Sequence, residues 1–91
     1  MANKRHQLEE SDLRSAINEV KVMLVIRMEQ KGMGSMASNH EILGILDEEY
    51  DEYRDAIHAK GSQDDKVNEL VDIAVAALFG IASIRAGGVD W

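Results

Sequence analysis

Two short acidic patterns stand out in this chain: Glu48-Glu49-Tyr50-Asp51-Glu52, and Glu69-Leu70-Val71-Asp72. Residues three apart on a helix are surface neighbours, so Glu49 with Glu52, and Glu69 with Asp72, each place two carboxylates side by side. Carboxylates perform two kinds of chemistry in such settings. They transfer protons, and they bind hard cations through oxygen. Whether either applies depends on whether the two pairs meet, and that is decided by the elements that carry them.

Those elements read as three helices, because nothing in the chain alternates with the period of two that a strand needs. Residues 1–10 form a tail without an apolar run. Helix 1 is expected over 11–31, with Ser11 as N-cap and a stripe of Leu13, Ile17, Val20, Leu24 and Met28. It stops at "KGMGSMAS", a connector that reads as an inter-helix loop or as a flap over a site. Helix 2 is expected over 39–60, capped by Ser38 with Glu41 reaching back, and closed by Gly61 in a left-handed position. Ser62 and Asp65 then open helix 3, over 63–86. The expected fold is all-α: an antiparallel hairpin plus an N-terminal helix, one domain of 91 residues that completes a helical bundle by oligomerisation.

In a hairpin turning at residues 60 and 61, residues whose numbers add to 121 lie level, so Glu52 faces Glu69 and Glu49 faces Asp72. Positions 42, 45, 49, 52 and 56 of helix 2, and 65, 69, 72, 76 and 79 of helix 3, are the two sides of one seam. Four carboxylates therefore converge inside it, under a roof in which Ile45 meets Ala76 and Ile42 meets Phe79. Four like charges beside aliphatic walls resist ionisation unless a cation compensates. A hard, octahedral, oxygen-seeking ion fits, which means Mg²⁺, with Mn²⁺ as a substitute, and such a site suits a nucleotide polyphosphate. The opposing reading is a hairpin whose acids rotate outward to solvent.

Composition narrows the alternatives. The formal charge is −7, from 17 acids against 10 bases, and residues 47–55 alone hold six acids and one arginine. This argues against nucleic acid as a partner, since phosphate-backbone binding needs clustered Lys and Arg. The absence of cysteine suits a reducing cytoplasm. The apolar run "LVDIAVAALFGIASI" has 15 residues, short of the roughly 20 of a membrane span, and it contains Asp72. It reads as a helix buried on most sides rather than as a membrane anchor. Second stripes, Leu43, Leu46, Tyr50, Tyr53 and Ile57 on helix 2 and Leu70, Ile73, Ala77, Ile81 and Ile84 on helix 3, need further cover, which points to a homodimer or homotetramer.

The paired patterns resemble the EExxE and ExxD motifs of the MazG-like, all-α nucleoside triphosphate pyrophosphohydrolases, especially the short single-domain members. The likeness runs from His40 through about Ile84 and includes "HEILGILDEEYDEYRDAI" and "ELVDIAVAALFGIASI". It implies Mg²⁺-dependent cleavage between the α and β phosphates, releasing a monophosphate and pyrophosphate. It also implies Glu49, Glu52, Glu69 and Asp72 as metal ligands; Glu48, which precedes the first ligand and lies one turn from Glu52, is the candidate for orienting or deprotonating the attacking water. The family contacts the triphosphate with basic side chains, for which Lys31, Arg54, Lys60, Lys66 and Arg85 are available. Lys66 could serve, or could pair with the level Asp55. Arg85 could serve, or could complement the helix dipole. Tyr53 and Tyr50 could stack on a base or pack in the interface. The sequence leaves no room for a fourth long helix after "RAGGVDW", so a partner subunit is expected to supply that surface.

Two other readings compete with this one. Asp55 and His58 form a single DxxH, whereas a di-iron bundle needs a Glu-x-x-His from each of two helices. The remaining alternative to an enzyme is a helical oligomerisation module that keeps the acidic hairpin and binds protein through its apolar seams. Trp91 could stack on a base or pack on a neighbouring helix.

Overall fold

The computed structural model describes residues 5–91, and the first four residues of the expected tail lie outside it. The chain is all-α, with α1 over Glu10–Lys31, α2 over Asn39–His58 and α3 over Gln63–Arg85. Arg5 to Glu9 are exposed and non-helical, so the tail ends one residue earlier than expected.

The start of α1 corrects the capping assignment. Glu9, not Ser11, is the N-cap, and the Asp12 carboxylate accepts a hydrogen bond from the Glu9 N–H at 2.8 Å. Asp12 satisfies that donor from within the first turn, so the helix begins before the serine. At α2, Ser38 Oγ accepts from the Glu41 N–H at 3.0 Å as expected, but Glu41 reaches one residue further back, accepting from the Ala37 N–H at 2.9 Å. Ser62 and Asp65 form the reciprocal box of α3, at 3.0 and 3.1 Å.

The hairpin turn also differs from expectation. Helix α2 ends at His58, and Lys60, not Gly61, takes the left-handed conformation, with φ 54°. Gly61 is needed for space instead. A Cβ there would stand 3.1 Å from the Ala56 carbonyl oxygen and 3.2 Å from Asp65 Oδ2. The turn tucks Gly61 against both helices, which leaves the unusual φ to its neighbour.

Helix α3 is the centre of the molecule. Both α1 and α2 pack on it, and they do not pack on each other. Helix α2 is antiparallel to α3. The two come close at Gly80, where a Cβ would lie 3.1 Å from Ile42 Cγ2. Helix α1 runs in the same direction as α3: Ser15 to Met23 border Asn68 and Val71, and Arg27 reaches Asp72. The molecule measures 51 Å along its long axis. The apolar stripe of α1 is uncovered over its first half. Leu13 and Ile17 are 55% and 58% exposed, and only the later members of the expected stripe, Val20, Leu24 and Met28, are half-buried.

The connector is held rather than free over its second half. The Met36 N–H donates to the buried Ser83 hydroxyl at 2.9 Å, the Asp90 N–H donates to the Ala37 carbonyl at 2.8 Å, and the Asn39 N–H donates to the Trp91 carbonyl at 2.7 Å. The C-terminal segment thus straps the connector to the end of α3. Trp91 packs against His40, ring centroids 4.6 Å apart.

The interior is small. Among the described residues the buried apolar side chains are Val75 and Ala76, joined by Gly80 and Ser83. Helix α3 was expected to be buried on most sides, but Leu70, Leu78, Ile81 and Ile84 are exposed because neither flanking helix covers its outer face. At 23 residues, α3 as a whole is long and apolar enough to cross a membrane, although its apolar run alone is shorter.

Candidate metal centre

The seam between α2 and α3 places the four acids together. One carboxylate oxygen from each of Glu49, Glu52, Glu69 and Asp72 lies within 4.8 Å of every other. Three of the four residues are half-buried and Glu52 is exposed. The i, i+3 spacing on each helix and the antiparallel hairpin account for this geometry, since each helix contributes two neighbouring side chains to one level of the seam. Ile45, Ala76 and Phe79 border one cavity as anticipated, while Ile42 packs on Gly80, because the absent side chain there admits it.

Burial and crowding act on the acids in the same direction. Desolvation holds the Glu49 and Glu69 carboxyls above the ordinary carboxylate value, and the charges of Glu52 and Asp72 together with a hydrogen bond to Glu52 push them further. Oε2 of Glu49 and Oε2 of Glu69 are buried and have no hydrogen-bond partner. Buried polar atoms in native proteins are nearly always satisfied, and a cation is one partner that would satisfy two such carboxylate oxygens in one cluster.

One cation reaches the cluster from α1. Arg27 Nη2 donates to Asp72 Oδ1 at 3.1 Å, and both side chains are largely shielded. Arg27 was not among the basic residues singled out from the sequence. The available signal was its position three residues after Leu24 and four after Met23, on the same half-buried face of α1. A lone arginine in an apolar stripe that must pack against an acidic seam is a candidate counter-ion.

Beside the cluster lies a cavity of about 210 Å³, open on one side. Its walls come from all three helices and the connector. Met36, Ile45, Val75, Ala76 and Phe79 make the apolar part, and Arg27, Lys31, Glu49 and Asp72 the polar part.

The other candidate residues are placed apart from this centre. Glu48 is exposed on α2, outside the four-acid group, one turn before Glu52. Among the described residues, Lys66 makes no ion pair with Asp55; Arg54 pairs instead with Asp51 at 2.6 Å on the outer face of α2. Lys66 is half-buried at the start of α3, and Arg85 is exposed in its last turn, at the opposite end from Glu69. Tyr53 is half-buried, while Tyr50 is 54% exposed with the Arg54 guanidinium 5.5 Å from its ring centre. Neither tyrosine borders the cavity. Comparison of the chain with family models, with curated proteins and with solved structures finds no match.

Proposed function

We propose that this protein is a divalent-cation-dependent nucleoside triphosphate pyrophosphohydrolase of the MazG-like kind. The convergence of Glu49, Glu52, Glu69 and Asp72, with two buried oxygens lacking a partner, carries the reading. The donor set is all carboxylate, which favours Mg²⁺ or Mn²⁺ over thiolate- and imidazole-seeking ions. Oxygens that lie within 4.8 Å of one another would be close enough for the four residues to hold one such ion together.

In this reading the four acids hold the cation, which when bound neutralises phosphate charge and polarises the α-phosphoryl group. The apolar walls of the neighbouring cavity take the nucleoside end of the substrate and keep water from it. Glu48, exposed and one helical turn from Glu52, orients or deprotonates the attacking water at the solvent side of the cluster. The working unit is a homodimer or homotetramer in the cytoplasm. The competing reading, a non-enzymatic helical interaction module, draws its support from apolar side chains left exposed on α2 and α3, such as Leu43, Ile57 and Ile81.

A substrate panel separates the two. Ribo-, deoxyribo- and modified nucleoside triphosphates, incubated with Mg²⁺ or Mn²⁺, are expected to yield pyrophosphate rather than orthophosphate, and Glu49→Gln is expected to abolish the release with helicity intact. Failure to release pyrophosphate from any member of the panel would leave the interaction module as the better reading.

A further inference from the structure

The acidic cluster explains how a cation is held, but a polyphosphate brings several negative charges of its own. Lys66 and Arg85 are poorly placed to meet them, since neither borders the cavity and Arg85 lies at the far end of α3. Two cations do border it, both from α1: Arg27 and, one helical turn later, Lys31. The i, i+4 spacing puts them on one face.

Resting on the metal-dependent reading above, we propose that Arg27 and Lys31 form the anion-binding edge of the cavity and take the phosphate oxygens of a cation-bound polyphosphate ligand. Arg27 occupies a particular position in this arrangement. It is the single cation, among the described residues, that is ion-paired to the cluster, through Asp72. With no divalent ion bound it offsets part of the repulsion among four carboxylates. When such an ion takes over that task, the guanidinium fork is free to face a phosphate, for which its planar, bidentate geometry is suited. Lys31, the last residue of α1, is joined to Gly32, whose left-handed φ of 79° turns the chain so that the connector passes over the same cavity. The connector's Met36 is fixed by Ser83, so the apolar and basic walls face one another across a defined space. The ligand this arrangement selects has an apolar body and a polyphosphate tail. Cation and polyphosphate should bind cooperatively, because the cation releases the residue that the polyphosphate needs.

Two affinities of opposite sign test the assignment. Binding of Mn²⁺ alone is followed by the loss of its free electron paramagnetic resonance signal. Binding of a nucleoside triphosphate analogue with an imido bridge between its α and β phosphates is followed by calorimetry in saturating Mn²⁺. Arg27→Gln should tighten Mn²⁺ alone by about threefold or more, since it removes the competing charge, and weaken the analogue by roughly tenfold, the loss of one charge-assisted contact. Lys31→Gln should weaken the analogue by about threefold or more. Arg54→Gln changes net charge equally but lies on the outer face, paired with Asp51, and should move neither affinity. Wild-type protein that takes up no Mn²⁺ overturns the metal-dependent reading itself. Wild type that binds Mn²⁺, with Arg27→Gln leaving analogue affinity unchanged or with Arg54→Gln shifting it as much, overturns the role of Arg27 alone. Should Arg27→Gln lose its helicity, Arg27→Lys decides. That change keeps the charge but not the fork, so unaltered analogue affinity overturns the proposal and a several-fold loss with normal Mn²⁺ uptake supports it.

Discussion

Replacing Glu49 by glutamine should make the cation-free protein more stable and the cation-loaded protein comparatively less so. Glu49 is half-buried within 4.8 Å of three other carboxylates, and one of its oxygens has no partner. Two unit charges at that separation repel by about 3.5 kcal/mol at an effective dielectric of 20, and by about 0.9 kcal/mol in water. Glu52 is exposed, which puts its share near the lower figure, and Arg27 offsets much of the contribution of Asp72. The net relief is therefore about 1–2 kcal/mol at neutral pH. For a domain of this size that is a rise in Tm of about 5–10 °C. Cation binding reverses the order. At a hundred times Kd, an ion that binds only the folded state adds about 2.7 kcal/mol to wild type. The variant lacks one of the four donors and should gain far less. Thermal melts of both proteins by circular dichroism, in chelator and in excess Mg²⁺, would show the two crossing. A variant that melts below wild type in chelator, with both proteins responding equally to Mg²⁺, would refute the inward placement of Glu49.

The remaining predictions concern pH and assembly. The folded state holds the protons of Glu49 and Glu69 above their ordinary value of 4.5, so it binds more protons than the unfolded chain, and stability falls as pH rises from 4.5 through the raised values. Denaturant melts in chelator should therefore show the gap between wild type and Glu49→Gln vanishing at and below pH 4.5 and opening above it. A gap independent of pH would place the acid in solvent. Sedimentation at tens of micromolar should give a dimer or larger closed species, with Ile81→Lys shifting it toward monomer, since Ile81 is 57% exposed on the uncovered face of α3. A monomeric wild type that floats with lipid vesicles would assign that face to a membrane instead.

How much of this was legible in the sequence differs by element. The hairpin was, because two independent signals agreed: the caps at Ser38 and Ser62 fixed where α2 and α3 begin, and the i, i+3 acids on both helices then fell level. Gly61 misled, since glycine usually marks the left-handed residue after a helix. Here the constraint on Gly61 is lack of room against Ala56 and Asp65, and Lys60 adopts the positive φ. The Gly80 contact was hidden for a related reason. A register drawn through residues 60 and 61 pairs Ile42 with Phe79 and gives no signal that Ile42 reaches Gly80, where only a residue without a side chain leaves it room. Lys66 was paired with Asp55 by level alone, but exposed ion pairs contribute little, and nothing in the packing holds these two together. Arg27 was missed because the sequence gives no crossing geometry for α1. Its stripe predicts that the helix packs on a partner, not that only the later stripe residues are covered, nor that an arginine among them meets Asp72.

The distribution of apolar surface links these observations. Among the described residues, a core limited to Val75 and Ala76, with half-buried acids in the seam where further aliphatic residues would normally stand, cannot alone offset the entropy of ordering three helices. Filling the seam with leucine would be the simple remedy, since a packed apolar pair is usually at least as stable as a buried ionic one. The chain instead keeps four carboxylates that repel one another and lets large side chains such as Leu43, Leu70 and Ile84 face outward. Both features weaken an isolated, cation-free subunit, and each is relieved by a different binding event: a divalent ion for the acids, a second apolar surface for the exposed stripes. The two reliefs are coupled through α3, which carries Glu69 and Asp72 in its first half and Ile81 and Ile84 near its end. A cation that stiffens the seam orders the same helix that presents the outer stripe, so cation binding should favour assembly, and assembly should tighten cation binding by the same factor.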